Sequence, residues 1–74
     1  MNRVFVTEHA RKRLHNLRQE RLGLADIEAA ALQIPGYVPT ATRFRGFVAR
    51  SGRIFDLVVK DIPTGRLVIT VIGK

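Results

Sequence analysis

The 74 residues are 46% hydrophobic and 26% charged, the balance of one small folded domain spanning 1–74 and not of a disordered tail. Thirteen lysines and arginines face six acids, and the formal charge of +7 points first to a nucleic-acid partner and second to an acidic protein. Cysteine is absent, which excludes disulfides and zinc–thiolate sites and leads us to expect a reducing, cytoplasmic setting.

The chain opens with "RVFV" (3–6), a short strand-like run that is neither a signal peptide nor a membrane segment. No apolar run approaches the roughly 20 residues that span a bilayer. Thr7 is a suitable N-cap, with Glu8 in the first turn where the helix dipole favours an acid. Ala10, Leu14 and Leu17 then form one stripe, so the spacing predicts a helix to about Glu20 or Arg21, stopped by Gly23. A second helix follows in "LADIEAAALQI". It places Ile27, Ala30, Ala31 and Ile34 on one face behind Leu24, and Pro35-Gly36 ends it. This helix carries little charge and reads as scaffold.

The remainder reads as a meander of strands at 42–50, 53–60 and 66–72. Ser51-Gly52 suggests a two-residue loop, and Pro63-Thr64-Gly65 a three-residue loop with Gly65 in the left-handed position. With those loops Phe44, Val48, Phe55, Leu57, Val59, Leu67, Ile69 and Val71 share an apolar face that receives both helices. The other face collects Arg43, Arg45, Phe47, Asp56, Lys60 and Thr70 among Ile54, Val58, Val68 and Ile72. A change of one residue in the second loop would exchange the faces of the last strand. The expected fold is α+β: two N-terminal helices packed on an antiparallel three- to four-stranded sheet.

The mixed face suits two partners. Arginines can hold phosphates while Phe47 stacks on a base, or the aliphatics can form a homodimer or a protein interface. Asp56 is expected to form a cross-strand ion pair that orders Arg45, with a carboxylate base as the weaker alternative.

Metal and cofactor chemistry has no signature here. His9 and His15 do not share a helix face, the carboxylates are scattered, and no glycine-rich phosphate loop or serine elbow is present. What remains is His9 one turn before Arg13. RNA cleavage without metal needs a proton carrier, which a histidine supplies near neutral pH, and cations for the developing phosphate charge. The plainer alternative for His9 is a solvated histidine at a helix start.

"TEHARKRL", "RLGLADIEAAAL", "GRIFDLVVKD" and "GRLVITVIGK", in that order, resemble a small bacterial domain family of uncharacterised role. That family is similar to RelE- and BrnT-type toxins and to the barnase–EndoU–colicin–RelE ribonuclease group. The resemblance implies a RelE-like fold, a metal-independent endoribonuclease activity, a basic RNA surface and an antitoxin or immunity protein as partner. His9 and Arg13 match the histidine and arginine of its "HAxxR" motif, and Gly23 its glycine between the helices. Arg43, Arg45, Lys60, Arg66 and Thr70 are candidates by their order on the meander. Two departures stand out: "LHNLRQERLGL" is longer than the usual turn, and Ala25 replaces the usual Ser or Thr cap. The leading expectation is a toxin-like endoribonuclease with His9 and Arg13 at its centre. The alternative is a non-catalytic nucleic-acid-binding or dimeric protein-interaction module on the same fold.

Overall fold

The computed structural model describes residues 3–15 and 21–74. The elements run β1 (Val4–Val6), α1 (Glu8–Leu14), α2 (Leu24–Gln33), β2 (Thr42–Val48), β3 (Ile54–Ile62) and β4 (Gly65–Gly73). The four strands form one sheet in the order β1-β4-β3-β2. The β2–β3–β4 meander is antiparallel, but β1 joins β4 in parallel, so the sheet is mixed and not antiparallel throughout. β1 is only three residues long and finds its partner by Val4 meeting Arg66 and Val6 meeting Val68.

Where β1 stops, α1 takes over the exposed edge of β4. The Thr7 hydroxyl accepts from the Ala10 N–H at 3.0 Å, which caps the helix, and donates to the Ile69 carbonyl at 2.8 Å. Arg13 Nε donates to the Val71 carbonyl at 2.7 Å. Two edge carbonyls that would otherwise invite a foreign strand are thereby occupied. Ala10 is buried against the sheet, and Leu14 packs beside it.

α1 ends at Leu14, with His15 as its cap. The stripe residue Leu17 and the expected end at Glu20 lie outside the described residues. Arg21 is not helical: its φ is 71°, a left-handed residue two positions before Gly23. Gly23 instead caps the start of α2, donating its N–H to Asp26 Oδ2 at 2.9 Å. α2 buries Ile27, Ala30, Ala31 and Ile34, the stripe that its spacing dictates.

The two loops of the meander exchange the lengths suggested by the sequence. Ala49 and Arg53 close a three-residue loop over 50–52, with Ala49 N–H on the Arg53 carbonyl at 2.9 Å. Ile62 pairs directly with Gly65, leaving the two-residue loop Pro63-Thr64. Gly65 has φ +157°, a positive value that residues with a Cβ rarely adopt, and its lack of a side chain also serves a close approach: a Cβ would collide with the Arg3 carbonyl oxygen.

Each altered loop slips its strand by one residue and so exchanges faces. Phe47 pairs with Phe55 and turns toward the helices, while Val48 turns away and is 67% exposed. Likewise Val68 enters the core opposite Val59, and Leu67 leaves it. Two bulges then restore the original phase. One lies between Phe44 and Phe47, and returns Phe44 to the helix side opposite Leu57. The other leaves Ile69 as an extra residue and returns Val71 to the core opposite Leu57. Phe44 and Val71 therefore sit where the sequence suggested, with a different register on the way.

Candidate nucleic-acid interface

The helices cover one face of the sheet. The opposite face carries Arg43, Asp56, Val58, Lys60, Leu67, Thr70 and Ile72, as the pairs Arg43–Val58, Asp56–Ile72, Val58–Thr70 and Lys60–Leu67 require. Thr70 belongs to this face because the Ile69 bulge lies before it.

Asp56 organises the polar part of this face. Its side chain has 0% exposure and accepts from Arg43 Nε and Nη2 on Oδ2 at 3.0 and 2.7 Å. Lys74 Nζ approaches the same oxygen at 3.3 Å, and the Gly46 N–H donates to Oδ1 at 3.0 Å. Gly46 has φ +83°, and this left-handed turn of the bulge aims its N–H across the strand pair. Burial works to raise the Asp56 carboxyl, but the bonds from Arg43, Gly46 and Lys74 outweigh it and hold the group below the ordinary carboxylate range. The partner of Asp56 is thus Arg43, joined by Lys74, and not Arg45. The slip of one residue in β2 explains the change, since Arg45 falls in the bulge and is exposed. Lys74 carried no sequence signal beyond its charge.

Three other candidates leave the site. Phe47 packs on the helix side, its ring 5.7 Å from that of Phe55, so it presents no free stacking platform beside the cations. Arg66 is only 7% exposed and uses all five of its N–H donors internally. Nε and Nη2 hold Asp61 at 2.7 and 3.0 Å, and Nη1 reaches the Ala31 and Ile34 carbonyls at 2.9 and 2.5 Å. The last donor takes the Gly36 carbonyl at 2.7 Å. Arg66 therefore closes the C-terminal end of α2, which has no basic residue in its last turn. Arg13, the third, is anchored by its Nε to the Val71 carbonyl at the β4 edge, away from this face.

His9 is exposed on α1, one turn from Arg13. α1 packs on β4, whereas Arg43 and Arg45 lie on β2 at the far edge with β3 between. The backbones of β4 and β2 are separated by two strand spacings, roughly 10 Å. The structure therefore brings together Arg43, Lys60 and Thr70 on one open face with Arg45 at its rim, and leaves His9 and Arg13 on another part of the surface. Among the described residues no group of three His, Cys, Asp or Glu side chains is placed to hold a metal ion, and no helix is long and apolar enough to cross a membrane. Comparison with known proteins returned no match to a family model, a curated protein or a solved structure.

Proposed function

We propose that this chain binds RNA through the sheet face left open by its helices, on a RelE-like toxin scaffold. The observation that carries the reading is the cation cluster on that face. Arg43 and Lys74 are fixed by buried Asp56, with exposed Arg45 and Lys60 nearby and the Thr70 hydroxyl on the same face. A guanidinium already oriented by a carboxylate loses less freedom on meeting a phosphate, and its outward edge still offers donors. The net charge of +7 adds attraction over longer range. In this reading the protein acts in the cytoplasm, and the same face, whose aliphatic residues surround the cations, meets an acidic antitoxin or immunity protein.

The reading is tested with single-stranded RNA titrated at several salt concentrations. Arg45→Gln combined with Lys60→Gln lowers affinity and reduces the salt slope by about 0.7 for each cation removed. Wild-type binding that is indifferent to salt, or unchanged by the double substitution, rejects it.

Endoribonuclease activity is the second reading, favoured by the exposure of His9, which leaves its imidazole open to substrate and solvent. Total RNA incubated with the pure protein and a chelator decides it. Discrete fragments that vanish with His9→Ala assign turnover to that histidine, whereas intact RNA that shifts on a native gel assigns binding alone.

A further inference from the structure

A second concentration of cations lies at the tip of the β2–β3 hairpin. A shallow concavity of about 620 Å³ is lined by Arg21, Ser51, Gly52, Arg53, Ile54 and Lys74. Three chain segments meet there: the turn before α2, the hairpin loop, and the end of β4. Their meeting is enforced. The Ser51 hydroxyl donates to the Arg21 carbonyl at 2.8 Å, and the Arg50 N–H donates to Asp26 Oδ1 at 3.0 Å. The Lys74 N–H donates to the Ile54 carbonyl at 3.0 Å. Arg21 is moreover held at φ 71°, an unfavourable backbone for a residue with a Cβ, and the Ser51 bond secures it there.

The geometry points to this concavity as a phosphate-binding subsite, with Arg21, Arg53 and Lys74 around one anion. The inference deepens the RNA reading by adding a contact around the hairpin tip. Lys74 links the two places, because its ammonium lies 3.3 Å from Asp56 and still has further N–H donors for the concavity. A backbone crossing the open face at Arg43 then meets Lys74 next and the hairpin tip after it. Phosphate is the chemistry selected, because guanidinium groups and an ammonium donate only, and the non-bridging oxygens of an RNA phosphodiester are charged acceptors. The loop backbone beside them admits an anion without a bulky side chain at Gly52.

The site is tested first without RNA, by titrating inorganic phosphate into isotope-labelled protein and following the Ser51 and Gly52 amide resonances. Saturable shifts at these two amides are expected in the wild type and not in an Arg21→Gln, Arg53→Gln double variant. Absent or non-saturable shifts, or equal shifts in the variant, overturn the subsite. Dispersed amide spectra of the variant establish that it is folded, and Lys74→Gln alone gives an independent, weaker loss of the same shifts if folding of the double variant fails. A single-stranded oligonucleotide then reads the connection: the salt slope falls by about 0.7 per cation removed at the tip. Wild-type protein that ignores the oligonucleotide but saturates with phosphate sinks the RNA reading and leaves the subsite standing. Loss of the salt slope only in the Arg45, Lys60 variant sinks the hairpin-tip subsite and leaves the open face.

Discussion

Arg66 and Asp61 show how far one residue's surroundings can redirect its chemistry. By composition Arg66 is one more phosphate-seeking cation; by placement it is the internal fastening of α2 to β4. Asp61 answers it with two bonds from the guanidinium and a third from the Val38 N–H at 2.7 Å. The Arg66 guanidinium, ahead of the opposing effect of burial, draws the Asp61 carboxyl down to about 2. Its folded value lies below its ordinary one, so the unfolded chain takes up this proton first as pH falls. The stabilisation is complete above the ordinary carboxylate range and is lost as pH drops toward about 2. Urea unfolding across that acid window should show the wild type losing about 2 kcal/mol on this account. Asp61→Asn starts less stable at neutral pH and loses correspondingly less; parallel pH profiles for the two proteins would contradict the assignment. Arg66→Met is harsher, because it strands Asp61 and three helix-end carbonyls. Its expected cost of about 3–5 kcal/mol is comparable to much of a small domain's total stability. No count of charges in the sequence separates Arg66 from Arg45. Only the parallel pairing with β1 and the arrival of the α2 end at the same place do so.

Among the elements, the helices were legible from local chemistry and the register of the strands was not. Thr7, Glu8 and the spacing of Ile27, Ala30, Ala31 and Ile34 act within a few residues of themselves: α1 begins and α2 packs as those signals require, although Gly23 opens α2 where the sequence places the stop of α1. Register depends on loop length, and the two loops differ by one residue each from the lengths their glycines suggest. Ser51-Gly52 suggests a two-residue loop and Gly65 the left-handed end of a three-residue one, but Gly52 ends a three-residue loop and Gly65 admits the backbone of Arg3. The bulges had a weak signal, a glycine inside the strand-like run "TRFRGFV", which marks an irregular strand. Gly46 allows a direct measurement of what that bulge requires. A Cβ there would meet nothing within 4 Å, so Gly46→Ala introduces no clash and its effect is the backbone cost of φ +83° alone. The expected loss is about 1–2 kcal/mol by denaturant unfolding, against a change within about 0.5 kcal/mol for the neighbouring surface substitution Arg45→Ala. Equal stability of the two variants would mean that β2 repairs its register without the bulge. Arg43 would then have no fixed relation to Asp56.

At the scale of the molecule, the sheet order separates the candidate residues that the sequence grouped together. A histidine and an arginine four residues apart on α1 invite a site with the meander arginines, but that site needs the helix to reach β2. The order β1-β4-β3-β2 puts two strands between them, and the Thr7 and Arg13 bonds fasten α1 to the β4 edge. The motif that carries the family resemblance and the cations that carry the proposed RNA surface are therefore independent experiments. If RNA lies on the open face, His9→Ala leaves affinity within about twofold, the effect of a surface substitution outside a contact. It also leaves the salt slope untouched, because His9 lies on α1, away from the open face, and no phosphate contact there has been removed. Fluorescence anisotropy on wild type and variant at two salt concentrations makes the comparison. A fall of tenfold or more in the His9→Ala protein would place RNA across α1 and the β4 edge. In that case Arg13 would serve the substrate through its Nη donors while its Nε stays on the Val71 carbonyl, and the cations around Asp56 would be left to a protein partner.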